Sequence, residues 1–248
     1  MRLAYIIVVG TALLAVALLS RAPASLVSPT IGRLTEDRLT MVDPQGTLWH
    51  GRALLSAGEE RMPVAWRVHA ASLLRGEVAV TLTPGTEGAS TPRGEIMARD
   101  HAMHIRDFSI ELPAAVLVAA AIPRPRLDAR GVIDVTASAL DWPPTPNSGS
   151  VRATWHDAAI GLAGNEPVVL GDVSARLVAR NGELTGPLDN LGGDLAIDGN
   201  LTIRADGSGA VSGIVRTRKP DDPRYAALLS IGVREAGGVR VEWQWPGR

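Results

Sequence analysis

The sequence predicts a mainly β fold: a curved, largely antiparallel sheet with two short helices, entered through a single N-terminal transmembrane helix. Three observations carry this. Twenty-six glycines and 17 prolines punctuate 248 residues, too many stops for long helices but suited to short strands joined by turns. Between those stops, apolar and polar residues alternate with a period of two, the mark of strands packed on one face and wet on the other. The third observation is the run Leu3 to Leu19, 17 residues without a charge, bounded by Arg2 and Arg21.

That run is the shortest that spans a bilayer comfortably as a helix. Ala22-Pro23-Ala24 also fits a signal-peptidase site, but the run exceeds the usual h-region and Arg21 intervenes, which favours a retained anchor over residues 1–21. Too little chain precedes the run to form a domain, so the folded mass lies beyond it, in a bacterium in the periplasm. Residues 22–33, with two prolines and several hydroxyl side chains, read as a linker or extended stem. The β domain is expected over 34–248.

Composition excludes several classes. The formal net charge is −1 and no cluster of basic residues occurs, so nothing marks a nucleic-acid partner. Cysteine is absent, which removes disulfides, thiolate zinc sites and cysteine nucleophiles.

In order, Asp43-Pro44-Gln45-Gly46 reads as a turn and Thr47 to Ser56 as a strand, with Trp49 between Gly46 and Gly51. Val64, Trp66 and Val68 alternate with Ala65, Arg67 and His69. Ser72 to Leu74 forms a bend, Val78 to Leu82 a strand, and Thr83 to Arg93 a loop. Strands follow over Glu95 to Arg99 and Met103 to Ile110. The period then changes: Pro113 to Ile122 is Ala-rich, opened by a proline suited to the first helical position and closed by Pro123, and predicts a helix. Val132 to Trp142 is a strand, and residues 143–149, with three prolines, are the best place for a boundary between two halves. Strands are expected over Val151–Leu162, Val168–Ala179, Glu183–Leu188, Asp194–Arg204 and Ala210–Arg216. Pro223 to Ser230 predicts the second helix, and Val239 to Trp245 ends the chain as a strand.

No catalytic, cofactor or metal site emerges. His101 and His104 stand three apart, on opposite faces of a strand, so their rings would not share a metal. His50, His69 and His156 fall in separate strands. Neither G-x-S-x-G nor a Walker loop is present, and Gly207-Ser208-Gly209 reads as a turn between strands. Trp66, Trp155, Trp243 and Trp245 read as core or rim residues. Trp49, bracketed by glycines, is placed either to lock a corner of the sheet or to meet a partner.

The ordered set Gly46-Thr47-Leu48-Trp49-His50-Gly51-Arg52-Ala53, Val64-Ala65-Trp66 and Leu73-Leu74-Arg75-Gly76-Glu77-Val78 resembles the opening signature of the type II secretion system protein N family. Leu112-Pro113-Ala114, Gly131-Val132-Ile133, Leu191-Gly192-Gly193-Asp194-Leu195 and Tyr225-Ala226-Ala227-Leu228-Leu229 resemble its later landmarks, over roughly residues 34 to 245. The resemblance implies a bitopic inner-membrane protein with a periplasmic β domain, a non-enzymatic structural or assembly component of the secretion machine. It implies no cofactor and no catalytic residues, and other inner-membrane subunits of the apparatus as partners. The family is also similar to AsmA-like periplasmic proteins, whose lipid-lined troughs supply the alternative of a lipid-binding or lipid-transfer role.

Overall fold

The computed structural model of the chain describes residues 21–35, 37, 39–57, 60–83, 92–100, 102–121, 127–145, 148–162, 166–219, 232–235 and 238–247. The predicted anchor, apart from Arg21, and the predicted helix over 223–230 lie outside the described residues. Among the described residues no helix is long and apolar enough to cross a membrane.

Among the described residues fourteen strands build one antiparallel sheet. The first seven are β1 (Thr40–Gly46), β2 (His50–Ala57), β3 (Glu60–Val68), β4 (Val78–Thr83), β5 (Arg93–Arg99), β6 (Ala102–Pro113) and β7 (Leu127–Trp142). The second seven are β8 (Ser150–Leu162), β9 (Val168–Arg180), β10 (Glu183–Leu191), β11 (Leu195–Arg204), β12 (Gly209–Thr217), β13 (Val233–Glu235) and β14 (Gly238–Trp245). Each strand pairs with its sequence neighbour except at the end, where β14 lies between β12 and β13. Glycine, proline and aspartate close most connections tightly enough that a strand has only its predecessor to pair with.

The predicted helix after β6 is present as α3 (Ala114–Ala121), and among the described residues two others precede it, α1 (Ser28–Thr35), of the same length, and the shorter α2 (Ala70–Leu73). Ala114 and Val116 of α3 are buried with Leu112, Ala129 and Ile133, and in the same cluster with Met62 of β3. β3 and β7 stand four places apart, a span of about 19 Å in a flat sheet, and a helix only about 10 Å across cannot bridge it. The sheet therefore curls around α3. Two further apolar clusters continue along the later strands, one centred on Leu140, Leu177 and Leu184 and one on Leu170, Val173 and Leu195.

Bulges produce the curl. Asp43, Asp107 and Asp157 lie inside strands with φ of 50°, 47° and 49°, a left-handed conformation that aspartate tolerates better than most residues. Register shifts fall beside them or beside glycine, between Val42 and Gln45, Arg130 and Val132, and Trp155 and Ala158. Each bulge adds twist and moves the alternation by one. In β9, for example, the buried Leu170 and Val173 are three residues apart instead of two.

Two expectations change. Asp43 to Gly46 is not the turn but the bulged end of β1, and the reversal is made by Thr47 to Trp49, so that the strand predicted from Thr47 begins at His50. The stretch expected as a linker is helical, a 3-10 turn over Ala24–Val27 followed by α1, and Ala24 is only 1% exposed against Ala53, Val64 and Trp66. An apolar pattern this short, split by Pro29, resembles a stem until the sheet supplies a surface to cover. Residues 143–149 join β7 to β8, which pair from Leu127 with Leu162 to Ala137 with Val151, so the sheet runs unbroken across that proline-rich stretch.

Candidate functional site

The signature Gly46 to Gly51 is the β1–β2 hairpin. Gly46 pairs with Gly51, and Thr47 closes the turn, its amide donating to His50 O at 2.9 Å and its Oγ1 accepting from His50 N at 3.1 Å. The ring that lies over a glycine here is not that of Trp49 but that of Trp66, the cross-strand neighbour of Gly51. Trp66 is 7% exposed and its Nε1 donates to Leu48 O at 3.0 Å. Trp49 is half-buried, and its carbonyl accepts from Val68 N at 2.7 Å. The N-terminal segment docks on the same turn: Leu48 N donates to Ala22 O at 2.8 Å, and Pro23 bridges to Thr47.

The same device closes the far end of the sheet. Gly209 pairs with Trp245, whose ring fills the space above it and whose Nε1 donates to Gly207 O at 3.0 Å. Trp155 donates to Arg130 O at 2.8 Å, at the β7 bulge. All three tryptophans hold a chain reversal or bulge by its carbonyl.

The described histidines are dispersed over the surface. His50 is exposed and His101 lies outside the described residues, while His69 Nε2 lies 2.7 Å from Thr81 Oγ1. His104 Nδ1 is 2.7 Å from Asp141 Oδ1. His156 sits between two carboxylates, Nε2 3.1 Å from Asp134 Oδ2 and Nδ1 3.8 Å from Asp172 Oδ1. These pairings were hidden in the sequence because they join residues on neighbouring strands. Among the described residues no group of three or more histidine, cysteine, aspartate or glutamate side chains is arranged to hold a metal ion.

The Leu191 to Leu195 landmark is a polar bolt at the β10–β11 turn. Asn190 Nδ2 donates to Leu170 O at 2.5 Å and Leu195 O at 2.8 Å, and its Oδ1 accepts from Ile197 N at 2.7 Å. Asp194, 7% exposed, takes Lys219 Nζ on Oδ1 at 2.8 Å, and Arg218 donates to Gly192 O. Sequence reasoning also missed a row of arginines, Arg93, Arg152 and Arg176, beside one depression of the surface. They are distant in the chain and come together only through register.

An antiparallel sheet that runs as a meander from β1 to β12, with tryptophan and asparagine side chains bound to its turns and its histidine–carboxylate pairs at the surface, defines a mainly β protein built on one continuous sheet. The chain belongs to the type II secretion system (T2SS) protein N family, whose model matches residues 37–243, and is thereby a component of the type II secretion system. A search of curated proteins and a search of solved structures each found no match.

Proposed function

We propose that the chain is a non-enzymatic structural or assembly subunit of the type II secretion apparatus, held to the inner membrane by its N-terminal run with the β domain in the periplasm. It acts by protein–protein contact with other inner-membrane subunits. The observation that carries this reading is the coincidence of the family match over residues 37–243 with a single sheet over nearly the same span: the match takes in the whole sheet and not one local segment.

The two sheet edges differ in a way that suits such a role. β1 meets α1 and the 3-10 turn. β13 lies at the other end, with Val233 68% exposed, and offers main-chain hydrogen-bonding groups to an added strand. The docking of Ala22 and Pro23 on the hairpin supports a retained N-terminus, because cleavage after Ala24 would remove both contacts.

Deletion of the gene tests the reading. Loss of secretion of folded exoproteins with unchanged envelope phospholipids is expected; undiminished secretion would sink it. Phospholipid co-purifying with the protein in the absence of detergent, together with altered envelope lipids on deletion, would instead favour the AsmA-like lipid role. N-terminal sequencing of the mature protein tests the anchor, and a first residue of Ser25 would refute it.

A further inference from the structure

We propose that the outer face of β5 to β9 carries a docking site for an extended acidic segment of a partner polypeptide. The site is a row of directly opposed residues across five strands. Arg93 pairs with Ser109, Ser109 with Thr136, Thr136 with Arg152, and Arg152 with Arg176. Direct cross-strand partners share a face, so the three guanidinium groups and two hydroxyls stand in one line. The apolar clusters occupy the opposite face, where Ala137 and Leu177 alternate with Thr136 and Arg176.

The row lines a surface depression of about 680 Å³, with Ser138 and Ser150 beside it. Its floor is low because serine and threonine are short, and its rim is high because arginine is long. Against the three arginines the lining holds one carboxylate, Asp107. Among the described residues none of the three guanidinium groups makes an ion pair or hydrogen bond, and all three arginines are exposed.

Arg152 and Arg176 face each other across one ladder step, an arrangement that weakens a sheet unless something negative lies between. A bound carboxylate reverses that repulsion and gains charge-assisted, bidentate hydrogen bonds. Span decides the occupant. At about 4.8 Å per strand, Arg93 lies roughly 14 Å from Arg152 and roughly 19 Å from Arg176. One phosphate or one headgroup covers a single step of that row. An extended chain rises about 3.3 Å per residue, so carboxylates at its first, fifth and seventh positions fall roughly 13 and 20 Å along one side.

The inference rests on the reading of the chain as an assembly subunit, and supplies the chemistry of the partner. The probe is a fluorescein-labelled Gly/Ser peptide with glutamates at its first, fifth and seventh positions, added to the full chain in uncharged detergent and followed by anisotropy. Binding should weaken as salt rises, and should fall at least about tenfold in the double variant Arg152→Glu, Arg176→Glu. The melting midpoint of that variant should be unchanged, because one opposed like-charge pair replaces another. Should it unfold, the neutral pair Arg152→Gln, Arg176→Gln replaces it with the same expectation.

No binding by the wild type, binding indifferent to the arginines, equal binding of the peptide with glutamine in place of glutamate, or displacement by equimolar inorganic phosphate would each overturn the proposal. So would capture of the chain by phosphatidylglycerol vesicles through these arginines without peptide binding. In a deletion strain that has lost secretion, wild-type secretion restored by the double variant would overturn this site and leave the assembly role standing. Undiminished secretion in the deletion strain itself would overturn the assembly role.

Discussion

The indole of Trp66 occupies the space that any side chain at Gly51 would need: a Cβ there would lie 2.5 Å from Cζ2 of the ring. The glycine and the tryptophan form one unit, closed by the Nε1 hydrogen bond to Leu48 O. Gly51→Ala is therefore expected to destabilise the domain by about 1 to 3 kcal/mol, as overpacking in a buried site does. Urea denaturation measures this, and an unchanged midpoint would show that the ring moves aside freely.

Trp66 and Trp49 should separate under substitution. Trp66→Ala removes a buried ring and its hydrogen bond, for a loss of about 3 to 5 kcal/mol. Trp49→Ala removes a half-buried ring and should cost less, about 1 to 2 kcal/mol. Equal losses in thermal unfolding would contradict this ordering. Loss of partner binding at unchanged stability would make Trp49 a contact residue.

Asn190 is predicted to matter more than its place in a turn suggests. Asn190→Ala leaves Leu170 O, Leu195 O and Ile197 N without their side-chain partner, for a loss of about 2 kcal/mol or more. Asn190→Asp retains the acceptor for Ile197 N but loses both donations, and should not restore stability. Faster amide exchange at Ile197 in both variants is the corresponding local signature.

The ion pair of Asp194 and Lys219 is asymmetric, with side-chain exposures of 10% and 62%. Lys219→Ala should change stability by less than about 1 kcal/mol, as an exposed partner does. Asp194→Ala also removes an acceptor from Val169 N and should cost about 1 to 3 kcal/mol. A double-mutant cycle measures the share that belongs to the pair.

At the β11–β12 turn, hydrogen bonds from the Ser208 hydroxyl and amide hold the Asp206 carboxyl below the usual carboxylate range. A folded-state value below the unfolded one gives stability that is present above the unfolded value and is lost as pH falls through the folded one. Ser208→Ala should flatten the acid side of the stability profile, and an unaltered profile would remove Asp206 from the account.

Much of the fold was legible because it is local. Alternation marked β3, β7, β9, β11 and β14, and Pro113 with the alanine run marked α3, since each signal depends on residues only a few positions apart. The bulges were not legible. Asp107 and Asp157 look like outward-facing strand residues, and nothing local distinguishes an aspartate in the left-handed region from one in an extended chain. The hairpin was misplaced by a few residues for the same reason, because Asp43-Pro44 is turn chemistry that the β1 bulge absorbs.

By itself the sequence determined the class of fold, the position of most strands along the chain and the family, because period, turn residues and signature motifs are carried along the chain. Tertiary structure alone decided which residues meet. It curled the sheet around α3, set Trp66 and not Trp49 over Gly51, placed Ala22 on the hairpin, and brought Arg93, Arg152 and Arg176 into one row. The physical reason is register. A strand's pattern states which face a residue takes, whereas its partner across the ladder depends on bulges and turn lengths accumulated over every strand between them.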